Sequence, residues 1–548
     1  MGALKQIDTS GLPFQEIVAG NKYYVDKSLL IADILGTNDR GVYLFTRPRR
    51  FGKSTNISML DAFLNIEYRG NTWFDGLEIS EHHEFDRYRN AFPVVYIDLK
   101  DVVADDFDGF LSRMRNVLRK TFSRFDYLLD SDALRADEKA EVESVLSRTT
   151  NKDDMVFSVA NLCSMLEKHH GCKVVVLIDE YDRAVTDTFG SELQRSIIGF
   201  LGGLMSSTLK SNGSLQMAYV TGVMQVAKAG MFSGVNNLQV DNILSKRSDE
   251  RFGFTESDVQ TVLRYYGHPE KMDEVRDWYD GYRFGDAEVY NPFSVMNYVS
   301  SGFLPQPYWA NSGNDRPMRW MMERTDSRNV DAVADIVSGQ HADADLHMDM
   351  TYEDMRTAKD SDLYSLMVMT GYLNAVPGED GGFRVSVPNK EVMGMVDKVL
   401  KDTVPVDDSL FREFAAATMN GDATTMESIL SRLLEGTSYF DLKDESDYKL
   451  AVFLCLHGII WRYDVERERQ RGNGRLDIMM RPRDGSVKPV IMELKLSSSD
   501  ESLDKDADDA IRQIRDRRYY NGMAGEVLLY GIAFHGVIPR VVSEMLSL

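Results

Sequence analysis

Val42-Tyr43-Leu44-Phe45-Thr46-Arg47-Pro48-Arg49-Arg50-Phe51-Gly52-Lys53-Ser54-Thr55 is the stretch on which the reading of this chain turns. A strand-type apolar run ends in a turn, and Gly52-Lys53-Ser54 opens a predicted helix over 54–64. This is the second half of a phosphate-binding loop. Backbone N–H groups at a helix N-terminus favour anions, a lysine reaches the terminal phosphates, and the following hydroxyl can ligate Mg²⁺. The pattern G-x-x-x-x-G-K-[ST] is incomplete, because its first glycine would fall at Arg47. Gly-Lys-Ser alone recurs by chance, so a second piece of chemistry is needed.

That piece lies at Lys173-Val174-Val175-Val176-Leu177-Ile178-Asp179-Glu180. A short, nearly continuous apolar run is the signature of a strand buried on both faces. It ends in two carboxylates. In a nucleoside triphosphatase the first, Asp179, would hold Mg²⁺ and the second, Glu180, would polarise the attacking water. Either motif alone also suits an ordinary buried strand with a polar turn. Together and in this order they point to a nucleotide site.

Apolar runs at 42–45, 93–99, 174–178 and 217–220 alternate with amphipathic stretches. Such alternation predicts an α/β fold, a parallel sheet with helices on both faces. Its ligand would lie beyond the carboxyl ends of the strands, where Gly52, Lys53, Ser54, Thr55, Asp179 and Glu180 fall. The three-part organisation expected is a P-loop domain over 1–250, a helical lid and middle region over 251–400, and a helical connector with a small α/β domain over 401–548. In the middle region helices are predicted over 256–265 and 269–278, with a strand pair around Gly381-Gly382. At the C-terminus a helix is predicted over 448–461, strands over 474–480 and 487–496, a charged helix over 502–520 and a strand over 527–534.

With 548 residues, 43% hydrophobic and 27% charged, the chain has the composition of a globular protein of several domains. A net charge of −23 disfavours a general nucleic-acid coat, though not a local basic groove. Basic residues cluster at Arg113, Arg115, Arg119, Lys120 and Arg124, and again at Arg462, Arg467, Arg469, Arg471, Arg475, Arg481 and Arg483. A solvated helix face is the preferred reading of the first cluster. Three scattered cysteines make neither a disulfide framework nor a zinc site. The N-terminal hexapeptide has no apolar secretory core, and Gln6 departs from the myristoylation pattern. The longest apolar stretch, 450–461, is too short to span a bilayer. The expectation is a cytoplasmic protein with no membrane partner.

In the last segment Asp477 lies on one predicted strand and Glu493-Leu494-Lys495 on the next. Period-two geometry puts Glu493 and Lys495 on one face. If the strands pair, Asp477 approaches Glu493, and two neighbouring carboxylates suit a shared Mg²⁺ or Mn²⁺. A lysine beside such an ion suits phosphodiester hydrolysis. Alternating charges on an exposed strand face remain the competing explanation at this point.

Several strings resemble the prokaryotic AAA-ATPase-like family: Tyr23-Tyr24-Val25-Asp26-Lys27-Ser28, Leu44 to Ser54, Leu177-Ile178-Asp179-Glu180-Tyr181-Asp182, Thr221-Gly222-Val223, Phe232 to Leu238, Phe252-Gly253-Phe254-Thr255, Trp278 to Tyr282, Tyr290-Asn291-Pro292 and Thr370-Gly371-Tyr372-Leu373. Members of that family carry a C-terminal PD-(D/E)XK nuclease-like domain of restriction-endonuclease type, and Gly474-Arg475-Leu476-Asp477-Ile478 with Glu493-Leu494-Lys495 is similar to its motif. The missing first loop glycine is itself like the family. The resemblance implies ATP and Mg²⁺ at Lys53 and Ser54, Asp179 and Glu180 as the Walker B pair, and Thr221 as a polar sensor. It further implies Asp477 and Glu493 as metal ligands for Mg²⁺, or Mn²⁺, Lys495 as the catalytic lysine and Gln513 as the glutamine of the following helix. Glu445 is a further acidic candidate. Lys449 stands where such proteins tend to have a histidine, and Gln470 where a glutamate is expected.

Other signals carry less. Asn151-Lys152-Asp153-Asp154 fits a guanine-reading pattern but precedes the Walker B strand, so ATP is favoured. Arg247 and Arg251 could be arginine fingers reaching into a neighbouring copy of a homo-oligomer, but surface arginines near a lid are the stronger reading. Arg47, Arg49 and Arg50 either face phosphate or fix the loop. His82-His83 and His169-His170 lack ligand spacing and are expected in exposed loops. The expected function is an ATP-binding, ATP-hydrolysing protein controlling a nuclease whose nucleic-acid partner is DNA. The alternatives are a nucleotide-gated switch whose nuclease-like fold only binds nucleic acid or a protein, and an interaction module that binds ATP without turnover.

Overall fold

The computed structural model describes residues 4–548 except 211, 225–230, 233, 234, 236, 310–332, 334, 335, 337–340, 351–359, 379, 380, 403–407, 437–444, 457, 458, 460, 461, 468, 469, 472, 473, 484 and 486. Two compact units form: one of Met1–Met321, Ala344–Phe383 and Pro388–Val392, the other of Met322–Asp343, Arg384–Val387 and Met393–Leu548.

The first unit is built on a five-stranded sheet in the order β2-β3-β4-β1-β5. Its strands are β1 (Val42–Thr46), β2 (Val94–Asp98), β3 (Val174–Asp179), β4 (Leu215–Gly222) and β5 (Leu238–Asp241). Every neighbouring pair is parallel. β1 and β3 are buried along their whole length, as their Val, Leu, Ile and Phe side chains require when helices cover both faces. The four expected strands are present, each within two residues of the predicted ends. β5, four residues long and ending in Asp241, is too short and polar to stand out in the sequence.

Register fixes where the chemistry falls. Phe45 pairs with Thr221, Ile178 with Val220 and Asp98 with Asp179. β4 therefore lies between β1 and β3, and the carboxyl ends of β1 to β4 open at one edge of the sheet. The helix after β1 runs Lys53–Leu64, capped at Gly52 in the left-handed region with φ 81°. A Cβ is strained there, which is why glycine holds the position.

Beyond the sheet, helices occupy Glu256–Tyr265 and Met272–Tyr279 as expected. A hairpin of β6 (Tyr282–Phe284) and β7 (Ala287–Val289) follows, where only aromatic turns are legible in the sequence. Asn291 caps the helix Pro292–Ser300 by accepting the N–H groups of Phe293 and Ser294. Three short strands come next, β8 (Ala342–Ala344), β9 (Asn374–Pro377) and β10 (Phe383–Ser386), the last two flanking Gly381-Gly382.

One minor expectation changes. His169 and His170 are not loop residues but close the helix Lys152–His170, bonded to Ser131 Oγ and Tyr127 Oη, each at 2.7 Å. Lys168, in the same last turn, complements the helix dipole. Asn151, the start of the guanine-like tetrapeptide, caps the same helix by accepting the Asp153 and Asp154 amides at 2.9 Å. That polar spacing is a helix start.

The second unit contains a mixed sheet in the order β11-β14-β15-β16-β17: β11 (Tyr463–Arg467), β14 (Ile478–Pro482), β15 (Val490–Leu496), β16 (Glu526–His535) and β17 (Ile538–Ser547). β15 and β16 are parallel, so a crossover must join them, and the helix Leu503–Arg517 supplies it. That helix lays Ile511 and Ile514 against Met479, Ile491 and Leu529 of the sheet. The strand expected over 474–480 is divided. β13 (Gly474–Arg475) pairs with β12 (Gln470–Arg471), and Asp477 occupies a bend before β14. There its carboxylate accepts the Leu494 amide at 2.7 Å, a bond that replaces strand pairing. Arg469 and the side chains of Arg467, Gln470, Arg471 and Arg475 lie outside the described residues. No described helix is long and apolar enough to cross a membrane.

Candidate nucleotide and phosphodiester sites

At the carboxyl ends of β1, β3 and β4 a cleft of about 730 Å³ is lined by Arg49, Arg50, Gly52–Thr55, Asp179 and Glu180. Its size lies within the range of small-molecule sites. Asp179 is 3% exposed and accepts the Thr221 hydroxyl, which β4 delivers from the strand between. The Ser54 hydroxyl helps to hold the pKa of the same carboxylate down. Burial pushes the Asp179 carboxyl up, the two hydroxyls pull it down, and Glu180 and Asp98 push it up again. A buried carboxylate flanked by hydroxyls, with Glu180 and Asp98 adding negative charge, fits a hydrated divalent cation. Glu180 follows in the left-handed region at φ 51°, a sparsely populated conformation for a residue with a Cβ. The bend turns the chain out of β3, and Glu180 lines the cleft.

Lys53 is 7% exposed and donates to two carbonyls of its own loop, Arg47 O at 2.9 Å and Pro48 O at 2.8 Å. Burial lowers its pKa to about 8, against the opposing pull of Glu180, Asp179 and Asp182. The structure also separates the three loop arginines. Arg47 is fully buried and turned away from the cleft: its guanidinium bonds Asp241 Oδ1 at 2.7 Å, Asp241 O at 2.9 Å and Thr46 O at 3.0 Å. It also lies over the rings of Phe252 and Phe284 at 4.8 and 5.2 Å. Arg47 fixes the loop, while of these three Arg49 and Arg50 line the cleft. Arg247 and Arg251 are both engaged within the chain, with Asp241 at 3.2 Å and Asp33 at 3.0 Å.

Some cleft residues escaped the sequence reading. Asp98 ends β2 opposite Asp179 and pairs with Lys100 at 2.8 Å; its position at the end of an apolar run was the available signal. Asp182, 3% exposed, accepts the amides of Val223 and Met224 at 3.0 and 2.8 Å, tying the turn after β3 to the turn after β4. Trp309 donates from Nε1 to Arg49 O at 3.1 Å, and a Cβ on Gly371 would lie 2.7 Å from Pro48 Cβ. The loop is thus gripped from outside by residues far along the chain, and no local pattern announces them.

In the second unit the antiparallel register Ile478↔Met492, carried back one residue, sets Asp477 opposite Glu493. They are 6% and 3% exposed. Gln513, from the crossover helix, donates to Glu493 Oε1 and accepts from Lys495, and Lys495 Nζ lies 3.6 Å from Glu493 Oε1. The four predicted residues are therefore together. Glu493 Oε2 is buried without a hydrogen-bond partner. Burial, with Asp477 nearby, pushes the Glu493 carboxyl up to about 8, Lys495 and Lys449 opposing. Burial also raises the Asp477 carboxyl, against the Lys449 ammonium.

An unpartnered, buried carboxylate oxygen beside a second carboxylate fits a divalent cation. Among the described residues no group of three or more His, Cys, Asp or Glu is arranged to hold a metal, so further ligands would come from water, backbone or substrate. One departure from the expected arrangement is the helix Glu445–Cys455: its Lys449 reaches Asp477 Oδ1 at 2.7 Å and Glu445 Oε1 at 2.7 Å. Glu445, 47% exposed at its side chain, stands behind Lys449.

Comparison with known proteins agrees with this division. Residues 11–232 match the family described as predicted AAA-ATPase, and residues 443–543 match the PD-(D/E)XK nuclease superfamily. A curated relative, an uncharacterized protein in the vnfD 5' region of Azotobacter chroococcum mcd 1, is 28% identical over 307 residues, or 55% of this chain and 52% of that protein. The chain spans about half the length of that relative. It carries an AAA-ATPase-like domain and, C-terminal to it, a domain of the PD-(D/E)XK nuclease superfamily.

Proposed function

We propose that this chain binds and hydrolyses ATP in the cleft of its first unit, and that this nucleotide cycle controls a divalent-metal-dependent nuclease at its C-terminus acting on DNA. One observation supports it above others: residues far apart in sequence meet in two sets, Lys53, Ser54, Asp179, Glu180 and Thr221 at the strand ends, and Asp477, Glu493, Lys495 and Gln513 in the second unit. In the first set Lys53 would leave the Arg47 and Pro48 carbonyls to donate to phosphate oxygens. Glu180 would orient and accept a proton from the attacking water. Thr221 holds the Asp179 carboxylate in place. Ser54 and Asp179 would hold Mg²⁺. In the second set Asp477 and Glu493 would hold Mg²⁺ or Mn²⁺, while Gln513 positions Lys495 to donate to a phosphate oxygen. A divalent ion at either place supplies positive charge to the phosphate and makes a bound water more acidic. We place the protein in the cytoplasm, in keeping with its free cysteines.

The test uses the full chain with linear and circular DNA, with and without ATP, in Mg²⁺ or Mn²⁺. Cleavage that disappears in Glu493→Ala and responds to ATP is the expected result. Cleavage that survives Glu493→Ala refutes the nuclease assignment. Undiminished ATP turnover in Lys53→Ala refutes the loop assignment. A second reading has an observation of its own. The Lys449 ammonium already neutralises Asp477, which favours a nuclease-like domain that binds nucleic acid or a partner protein without cutting. It predicts Mg²⁺-independent retention of DNA with no products.

A further inference from the structure

Lys449 is neither on the strands that carry the carboxylates nor part of the D…E-x-K set, yet it makes the tightest ionic contact there. It stands one helical turn from Glu445, so the two side chains share a face of the helix Glu445–Cys455. The ammonium sits 2.7 Å from Asp477 Oδ1, and Asp477 Oδ2 is taken by the Leu494 amide at 2.7 Å. Both oxygens of Asp477 are therefore occupied. Glu493 Oε1 is held by Gln513, which leaves Glu493 Oε2, buried and without a hydrogen bond, as the open oxygen of the pair. The pocket has the negative charge for a cation, and a side chain of the protein already supplies part of the compensation.

We propose that Lys449 is a built-in counter-ion of the Asp477–Glu493 pair that competes with the divalent metal for Asp477 Oδ1 and thereby limits metal affinity. The inference rests on the metal-dependent nuclease reading. Two positive charges cannot share one carboxylate oxygen at hydrogen-bonding distance without strong repulsion. A metal entering through Glu493 Oε2 must either push Lys449 back toward Glu445 or forgo Asp477 Oδ1. Glu445 is placed to receive it: the ammonium is already 2.7 Å from Glu445 Oε1, so releasing Asp477 does not strand a charge. Lys449 acts through the carboxylate. It is a positioning residue.

The test is Mn²⁺ binding to the nucleotide-free full chain, followed by electron paramagnetic resonance of free Mn²⁺, with Glu493→Gln defining which bound ions belong to this pocket. Removing the charge in Lys449→Met is expected to tighten that class at least about tenfold, while Lys449→Arg, which keeps the charge, stays near wild type. Lys449→Gln, which keeps a donor toward Asp477, guards against misfolding of the methionine variant and should tighten binding likewise. The rise in melting temperature on adding Mn²⁺ should be larger in both neutral variants than in wild type. Equal or weaker binding in folded Lys449→Met and Lys449→Gln overturns the role of Lys449 and leaves the metal site standing. Absence of any Glu493-dependent ion in wild type and variants alike overturns the metal reading itself, and this inference with it.

Discussion

Arg47→Gly restores the glycine that the phosphate-loop pattern asks for, and motif reasoning alone expects it to be harmless or to improve nucleotide binding. The structure predicts the reverse. The Arg47 guanidinium is fully buried against Asp241, itself fully buried, at 2.7 Å. Removing it leaves the Asp241 carboxylate to Arg247 at 3.2 Å, and strips a donor from Asp241 O and Thr46 O. Breaking one side of a buried ion pair costs about 3–5 kcal/mol. Loss of the guanidinium from the Phe252 and Phe284 rings adds a cavity and roughly 1 kcal/mol of cation–π attraction. For a unit of this size, at about 2 cal/mol/K of unfolding entropy per residue, the melting temperature should fall by about 5–8 °C. Nucleotide binding should weaken too, because the Arg47 carbonyl that seats Lys53 moves with the freed loop. Thermal unfolding by circular dichroism and titration with a fluorescent ATP analogue read the two effects. The apolar replacement Arg47→Met with Asp241→Leu should recover much of the stability, since a well-packed apolar pair often equals a buried ionic one. If Arg47→Gly melts within about 1 °C of wild type and binds nucleotide more tightly, Arg47 does not hold the loop and the argument fails.

Two further outcomes follow from the same geometry. Glu180→Gln should keep ATP binding but lower turnover at least about a hundredfold, measured as phosphate release, whereas comparable turnover would remove Glu180 from the reaction. Glu391 is buried, accepts Ser294 Oγ at 2.8 Å and the Trp309 amide at 2.7 Å, and burial raises its pKa to about 7. Its folded pKa exceeds the ordinary 4.5, so the native state holds the proton more firmly, and stability is lost as pH rises from about 4.5 through about 7. Glu391→Gln should match wild type in melting temperature near pH 5 and exceed it by a few degrees near pH 8.5; a difference that does not change with pH refutes this.

How much could be read in advance depended on how local the cause was. β1, β3, the loop helix and the Asp179-Glu180 step follow from an apolar run ending in a turn, a physical constraint contained within a dozen residues. Asp477, Glu493 and Lys495 were legible for the same reason, since strand periodicity and one turn bring them together. Gln513 came only from family resemblance. What stayed hidden are partnerships of high sequence separation. Asp241 meets Arg47 across 194 positions, and Trp309 meets Arg49 across 260. Neither leaves a periodic trace, because one residue suffices at each end. Arg47 looks like a damaged motif until its partner is seen.

Lys53 and Lys449 share a physical predicament that connects the two sites. Each is an ammonium drawn into a largely buried pocket, and a buried cation must be bonded or lose its charge. Lys53 meets the demand with the carbonyls of Arg47 and Pro48, Lys449 with the carboxylates of Glu445 and Asp477. The consequences differ in sign. Carbonyl bonds to Lys53 are neutral acceptors that an anionic phosphate can outbid, so the loop lysine rests in a position from which the ligand recruits it. Lys449 bonds a formal charge, and the incoming ligand at its site is a cation that is repelled by it. By this reasoning the first lysine aids the ligand of its pocket, and the second opposes it. Removing Lys53 should weaken nucleotide binding, whereas removing Lys449 should strengthen metal binding, and that opposition of sign follows from charge and contact alone.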